Sequence, residues 1–246
     1  MTTRKTTLLT TTAVAISMMI SSAASACNPG EVCDLQLNQV TIDVELPDSV
    51  SNAISNYQNN TGNITTDLDY QGQWIEGDFE VNLTYVANSA SVELDGNAAF
   101  DSHQINSGNV TATYDNSQLL HLTEIENISV SLTAVGNTAT LDTTGSALLD
   151  SYQDNTGSEV SVTLGADFYG QGALTDADMS IDLTAVANTV SIEHEGSVIA
   201  NSVQNNMADV SAVADITLNG MRDPINLTAI GNNFSVSKKV DEALDD

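Results

Sequence analysis

The chain has 246 residues, and its 33 acidic side chains against 5 basic ones give a formal net charge of −28. Such a surface repels phosphate backbones and anionic bilayers, which excludes nucleic acid as a partner. It fits either a solvated, salt-tolerant exterior or one that binds divalent cations and controls assembly by repulsion.

Residues 1–26 combine a basic start at Arg4 and Lys5, an apolar run over 13–20 and the small residues Ala24, Ser25 and Ala26. That is the pattern of a secretory signal peptide, so the expected product is secreted to the extracellular space or the cell surface. No later stretch is apolar for long enough to form a transmembrane segment. Removing residues 1–26 leaves 220, with Arg222, Lys238 and Lys239 as the basic side chains and a formal charge of about −30. The expected layout is a Cys loop or cap at 27–36, one repeat domain at 37–237 and a charged tail at 238–246.

Both cysteines lie in Cys27-Asn28-Pro29-Gly30-Glu31-Val32-Cys33. An oxidising compartment allows a disulfide between Cys27 and Cys33, with Pro29-Gly30 supplying the turn. The competing chemistry is a lipid anchor on Cys27, although Ala24 stands where a lipoprotein signal usually carries Leu.

From residue 37 the chain repeats itself. The stretch 183–206, LTAVANTVSIEHEGSVIANSVQNN, aligns without gaps on 83–106, LTYVANSASVELDGNAAFDSHQIN, and on 132–155, LTAVGNTATLDTTGSALLDSYQDN. Asn88, Asn137 and Asn188 fall at one offset; Gly96, Gly145 and Gly196 come eight later; Gln104, Gln153 and Gln204 sixteen later. A worn copy precedes them, with Leu37, Val40 and Gln58, and a shortened one follows, with Leu227 and Asn232. Leu-to-Leu steps of 46, 49, 51 and 44 residues lie in the range of solenoids and propellers.

Within each copy apolar and polar residues alternate, which predicts strands with one buried face. The Asn positions and the glycines read as turn residues that take left-handed conformations. Each repeat then divides into four strands: into the Asn, from Asn to Gly, from Gly to Gln, and a fourth over 64–70, 110–114, 160–168 and 210–218. All length variation is expected in one corner, as in 170–178. The fold class is all-β, a β-solenoid of about four imperfect 44–51-residue repeats, each made of two strand-turn-strand coils. That predicts eight to nine coils and a length of about 40 Å at about 4.8 Å per coil.

Gln104 shares the parity of Ala98, Phe100 and Ser102, so it faces inward if Phe100 does. A buried amide needs a partner, and stacked coils supply one as a hydrogen-bonded ladder. With two coils per repeat, the ladder would need a partner from the coil between.

The pattern in 88–109, NSASVELDGNAAFDSHQINSGN, resembles the curlin-type repeats of bacterial surface fibres, over most of 83–212. The resemblance implies a secreted bacterial surface protein of β-solenoid fold that assembles into extracellular fibres or attaches to them. It implies inward ladder glutamines at Gln104, Gln153 and Gln204, turn asparagines at Asn106 and Asn155, and turn glycines at Gly96, Gly145 and Gly196. The chain departs from that family in having Leu-Thr-Ala-Val where curlin repeats carry a second Gln strand, and in its sparser glycine.

Chemistry is scarce. His103, His121 and His194 fall at different offsets, no G-x-S-x-G context surrounds a serine, and no phosphate-binding loop is present, so no enzyme is expected and no cofactor is implied. Glu93, Asp142 and Glu193 share an offset and predict a column of like charge. Calcium could bridge that column, or Asp176 and Asp178, but the glycine-rich nonapeptide of calcium-binding β-rolls is missing. Thr84, Thr133, Thr184 and Thr228 form an outward row, which fits an exposed strand better than an ice-binding face. The expected function is a fibre subunit or anchoring protein in adhesion or biofilm, with other surface-fibre proteins or its own copies as partners. The alternative is a discrete adhesin whose corner loops bind a glycan or a protein.

Overall fold

The computed structural model describes residues 33–44, 52–69, 74–75, 78–122, 127–157, 159–170, 178–219 and 225–239. Cys27, the loop over 171–177 and the tail from 240 lie outside them.

Fourteen strands and no helix make up the described residues, so the all-β solenoid expected from the repeats is the fold. Each repeat begins with one long strand: β1 (Cys33–Val44), β5 (Phe79–Leu94), β8 (Asn127–Thr143), β11 (Asp178–His194) and β14 (Ile225–Lys238). A nine-residue strand follows, in β2 (Asn52–Asn60), β6 (Ala98–Asn106), β9 (Ala147–Asn155) and β12 (Val198–Asn206). A third strand completes the repeat: β3 (Ile64–Asp69), β7 (Val110–Leu122), β10 (Glu159–Gly170) and β13 (Asp209–Asn219). The two-residue β4 (Trp74–Ile75) pairs with β7. Equivalent strands stack in parallel into three sheets, A in the order β1-β5-β8-β11-β14, B in the order β2-β6-β9-β12 and C in the order β3-β7-β10-β13.

This corrects the expected coil count. Leu83 pairs with Leu132, Leu132 with Leu183 and Leu183 with Leu227, so one repeat is one three-sided coil rather than two. The physical reason is that the segments before and after Asn88 are not two strands joined by a turn. They are halves of one extended strand that bends at Ala87, where pairing passes from Val86 to Asn88. The solenoid therefore has four full coils and the long strand of a fifth among the described residues.

The worn first copy also sits differently. Leu35, not Leu37, pairs with Leu83, and Leu37 pairs with Tyr85. β1 crosses the bend from Leu37 to Gln39 while β5 takes Tyr85 to Ser89, so β1 is two residues short there. Length variation is thus not confined to one corner. Among the described residues the first strand starts at Cys33, inside the segment expected to be a cap, and the last ends at Lys238.

Two apolar compartments fill each coil. The first half of the long strand packs on sheet C through Val81, Leu83, Tyr85, Val110, Ala112 and Tyr114 and their equivalents. The second half packs on sheet B through Ala90, Val92, Leu94, Ala98 and Phe100 and theirs. Each buried Leu, Val or Ile contributes roughly 1.5–3 kcal/mol by leaving water. Burial of the Tyr85 phenol raises its pKa above the ordinary tyrosine value.

Candidate functional site

Between the two compartments, at the bend, runs a spine of amides. Asn88, Asn137 and Asn188 are buried there, pointing inward, so they are not the turn residues that the sequence suggested. Asn88 Nδ2 donates to Asn137 Oδ1 at 2.8 Å, Asn137 to Asn188 at 2.8 Å and Asn188 to Asn232 at 2.8 Å. The second proton of each goes across the coil to a backbone carbonyl: Asn88 to Ile105, Asn137 to Asp154 and Asn188 to Asn205. The alternation breaks at this point and turns Asn toward the interior: four consecutive positions, Ala87 to Ala90, are buried where strict alternation would bury two, while β5 and β8 stay in register across it.

The glutamine column is the expected inward ladder, but it runs from coil to coil with nothing interposed. Gln104 Nε2 donates to Gln58 Oε1 at 2.7 Å, Gln153 to Gln104 at 2.8 Å and Gln204 to Gln153 at 2.9 Å. Each also donates across the coil, Gln58 to the Ser89 carbonyl, Gln104 to Thr138, Gln153 to Thr189 and Gln204 to Asn233. A third column escaped attention as a ladder in the sequence: Asn60 donates to Asn106, Asn106 to Asn155 and Asn155 to Asn206. Asn106 also closes its own turn by donating to the Gly108 carbonyl at 2.9 Å. The signal that would have exposed it is its parity, since Asn106 lies two residues beyond Gln104.

The three ladders have a direction. Both asparagine columns donate toward the C-terminal end of the stack, and the glutamine column donates toward the N-terminal end. Every buried rung is thereby satisfied, and the hydrogen-bond dipoles reinforce one another along each column.

The turn glycines divide into two kinds. Gly96 has a φ of 90°, the left-handed conformation expected of it. Gly145 and Gly196 do not show positive φ and are needed instead for clearance: a Cβ on Gly196 would lie 2.6 Å from Ser146 Oγ and 2.9 Å from the Gly145 carbonyl carbon, and one on Gly145 would meet the Gly96 carbonyl. Close stacking of the turns, not chain reversal, selects glycine at those two rungs.

Outside, the expected carboxylate column is present, with Glu93 paired to Asp142 and Asp142 to Glu193, and Asp43 is the register partner of Glu93 on β1. Neighbours lie one strand spacing apart, about 4.8 Å and not the two-coil distance, so their repulsion acts well inside the Debye length of about 8 Å in physiological salt. Ser237 ends the column on β14. Lys239 folds back over it, its Nζ 2.5 Å from Asp142 Oδ1 and 3.8 Å from Glu193 Oε2. The hydrogen bond to Asp142 raises the lysine pKa. Among the described residues no group of three or more His, Cys, Asp or Glu is placed to hold a metal ion; of the two loop candidates, Asp176 lies outside them and Asp178 opens β11.

Sheet B carries an outward aromatic row, in which Tyr57 and His103 meet edge to face at 5.2 Å, and His103 and Tyr152 at 4.8 Å. Tyr57 is 64% exposed. His194 lies on sheet A, with Nδ1 3.0 Å from the Gly196 carbonyl, so His103 and His194 share no site. No helix of the described residues is long and apolar enough to cross a membrane.

The stack's two ends differ from its middle. Among the described residues sheet A has five strands and sheets B and C have four. The inward side chains Leu227, Phe234 and Val236 of β14 are 51%, 46% and 41% exposed, while Leu183 and Ile192 beneath them are fully buried. Comparison with protein-family models, with curated proteins and with solved structures finds no match to this chain.

Proposed function

We propose that the chain is a secreted bacterial cell-surface structural protein, a fibre subunit or fibre-anchoring protein that associates with its own copies in adhesion or biofilm matrix. The observation that carries this reading is the open end of the stack. Edge strands with unpaired backbone groups, ladder amides and exposed apolar side chains invite another strand in register. The interior has the chemistry of packing and hydrogen bonding, and the residues with repeated positions serve stacking rather than substrate turnover. Sedimentation and electron microscopy of the purified chain, with and without calcium, test the proposal. Concentration-dependent linear assemblies are expected, and a monomer at every concentration and salt would overturn it.

The second reading is a discrete adhesin, favoured by the outward aromatic row on sheet B, since amphipathic rings suit contact with a glycan or protein. Replacing Tyr57 and Tyr152 with Ala would then abolish surface attachment without changing sedimentation. Unchanged attachment would remove this reading.

A further inference from the structure

The unequal sheets set a geometric problem for self-association. If β1 of a second copy were laid directly on β14, sheets B and C would each miss one strand at the joint, leaving Leu227, Phe234 and Val236 covered from one side only, by β12 and β13. We propose that β14 instead takes the place of β1 in the next copy, as a donated strand. Sheet A then runs β11, β14 and the next copy's β5, while β12 receives β2 of that copy and β13 receives β3. Every sheet continues without a gap.

Four features of the chain fit β14 to that place better than β1. The first is register: β14 pairs through 13 residues with β11 and follows the bend from Ile230 to Asn232, whereas β1 pairs through 11 residues with β5 and is two residues short at the bend. β5 and β11 bend at the same point, so β14 fits either.

The second is the direction of the ladders. At the C-terminal end Asn232 and Asn206 present the N–H groups that pass to the next rung in the middle of the stack, and Gln204 presents Oε1. On the next copy the matching groups are Asn88 Oδ1, Asn60 Oδ1 and Gln58 Nε2. All three meet donor to acceptor. Two C-terminal ends would meet donor to donor, so the association is head to tail and open-ended.

The third is charge. Exchange places Ser237 beside Glu93 where Asp43 stood, and Asn226 beside Asn82 where Asp34 stood. At these two register positions Asn and Ser replace acidic residues, in a chain whose net charge is −28.

The fourth is burial. Strands β2 and β3 of the next copy give Leu227, Phe234 and Val236 the second facing layer that Leu183, Val190 and Ile192 already have. Strand addition of this kind combines backbone pairing for affinity with alternate side chains for specificity.

This inference rests on the self-association reading, and disulfide trapping separates the two. The full-length Thr84→Cys and Thr228→Cys variants are mixed, oxidised and mapped by mass spectrometry, beside a mixture of Gln36→Cys with Thr228→Cys. The three sites face outward or lie at paired register positions, and linking needs Cα atoms within about 7 Å. Strand donation predicts a link between positions 84 and 228 in about tenfold excess over one between 36 and 228. The reverse excess would mean that copies stack with β1 in place, overturning donation and leaving self-association intact. Failure of both links in a monomeric sample would overturn both. Hydrogen exchange on the unmodified chain reads the same event without a variant: on association β14 amides must slow and β1 amides must quicken by about tenfold or more, and slowing of both strands would contradict the exchange.

Discussion

Leu183 and Leu227 open nearly the same sequence, Leu-Thr-Ala-Val-Ala-Asn and Leu-Thr-Ala-Ile-Gly-Asn, on neighbouring strands paired residue for residue. One is fully buried and the other is 51% exposed. The two strands share alternation, bend, ladder asparagine and register. What β14 lacks among the described residues is the second of two facing layers, because β11 packs against β9 and β10 as well as β12 and β13, whereas β14 faces β12 and β13 and no strand completes its own coil. The repeat sequence specifies the strand, whereas its burial comes from closing the coil.

The largest effect that would sharpen this contrast is a truncation at equivalent positions. Leu132→Ala removes a fully buried side chain and is expected to cost about 2–5 kcal/mol, while Leu227→Ala should cost under about 1 kcal/mol in the unassociated chain, both read by chemical denaturation. Equal losses would mean that β14 is as well covered as β8.

The amide spine gives a second, somewhat smaller contrast. Gln153→Leu strands the Gln104 Oε1, the Thr189 carbonyl and the Gln204 Nε2 inside the coil, at a cost of about 3 kcal/mol if each unpartnered group costs about 1 kcal/mol. Gln204→Leu strands only the Gln153 Oε1 inside the coil, since the Asn233 carbonyl is exposed, so its melting temperature should fall less. Similar melts for the two variants would break the view that the middle rungs carry the spine.

The smallest effect lies on the surface. Pairing with Asp142 raises the Lys239 pKa above the ordinary 10.5, so its stabilisation is complete below that value and is lost as pH rises through the raised one. Lys239→Ala should therefore cause a slight, salt-sensitive drop in melting temperature at neutral pH, and none well above the lysine range. A drop that persists at such alkaline pH would point to packing by the lysine stem.

Much of this was legible in the sequence. Gap-free copies gave the solenoid, and the shared parity of Phe100, Ser102 and Gln104 placed the glutamines inside. The coil count was not legible, because a step of about 49 residues fits two short coils or one long one. The decision turns on Asn88, whose residue type suits a turn and an interior ladder equally. Only the break in alternation at Ala87, within a strand that stays extended while it bends, assigns Asn88 to the ladder. Gly145 misled for a related reason: clearance against the turn beneath and a left-handed φ select the same residue, and only the stacked turns tell them apart.

The central claim is that one repeat makes one coil, and a cysteine pair within a single chain tests it most directly. Thr84 and Thr133 are register partners on the outer face of β5 and β8. In Thr84→Cys/Thr133→Cys, stacking at about 4.8 Å predicts rapid formation of an intramolecular disulfide in the dilute protein, since bridged Cα atoms lie roughly 4.4–6.8 Å apart. If both thiols stay free under oxidation in the folded monomer, the two positions lie a coil further apart and the single-coil repeat is wrong.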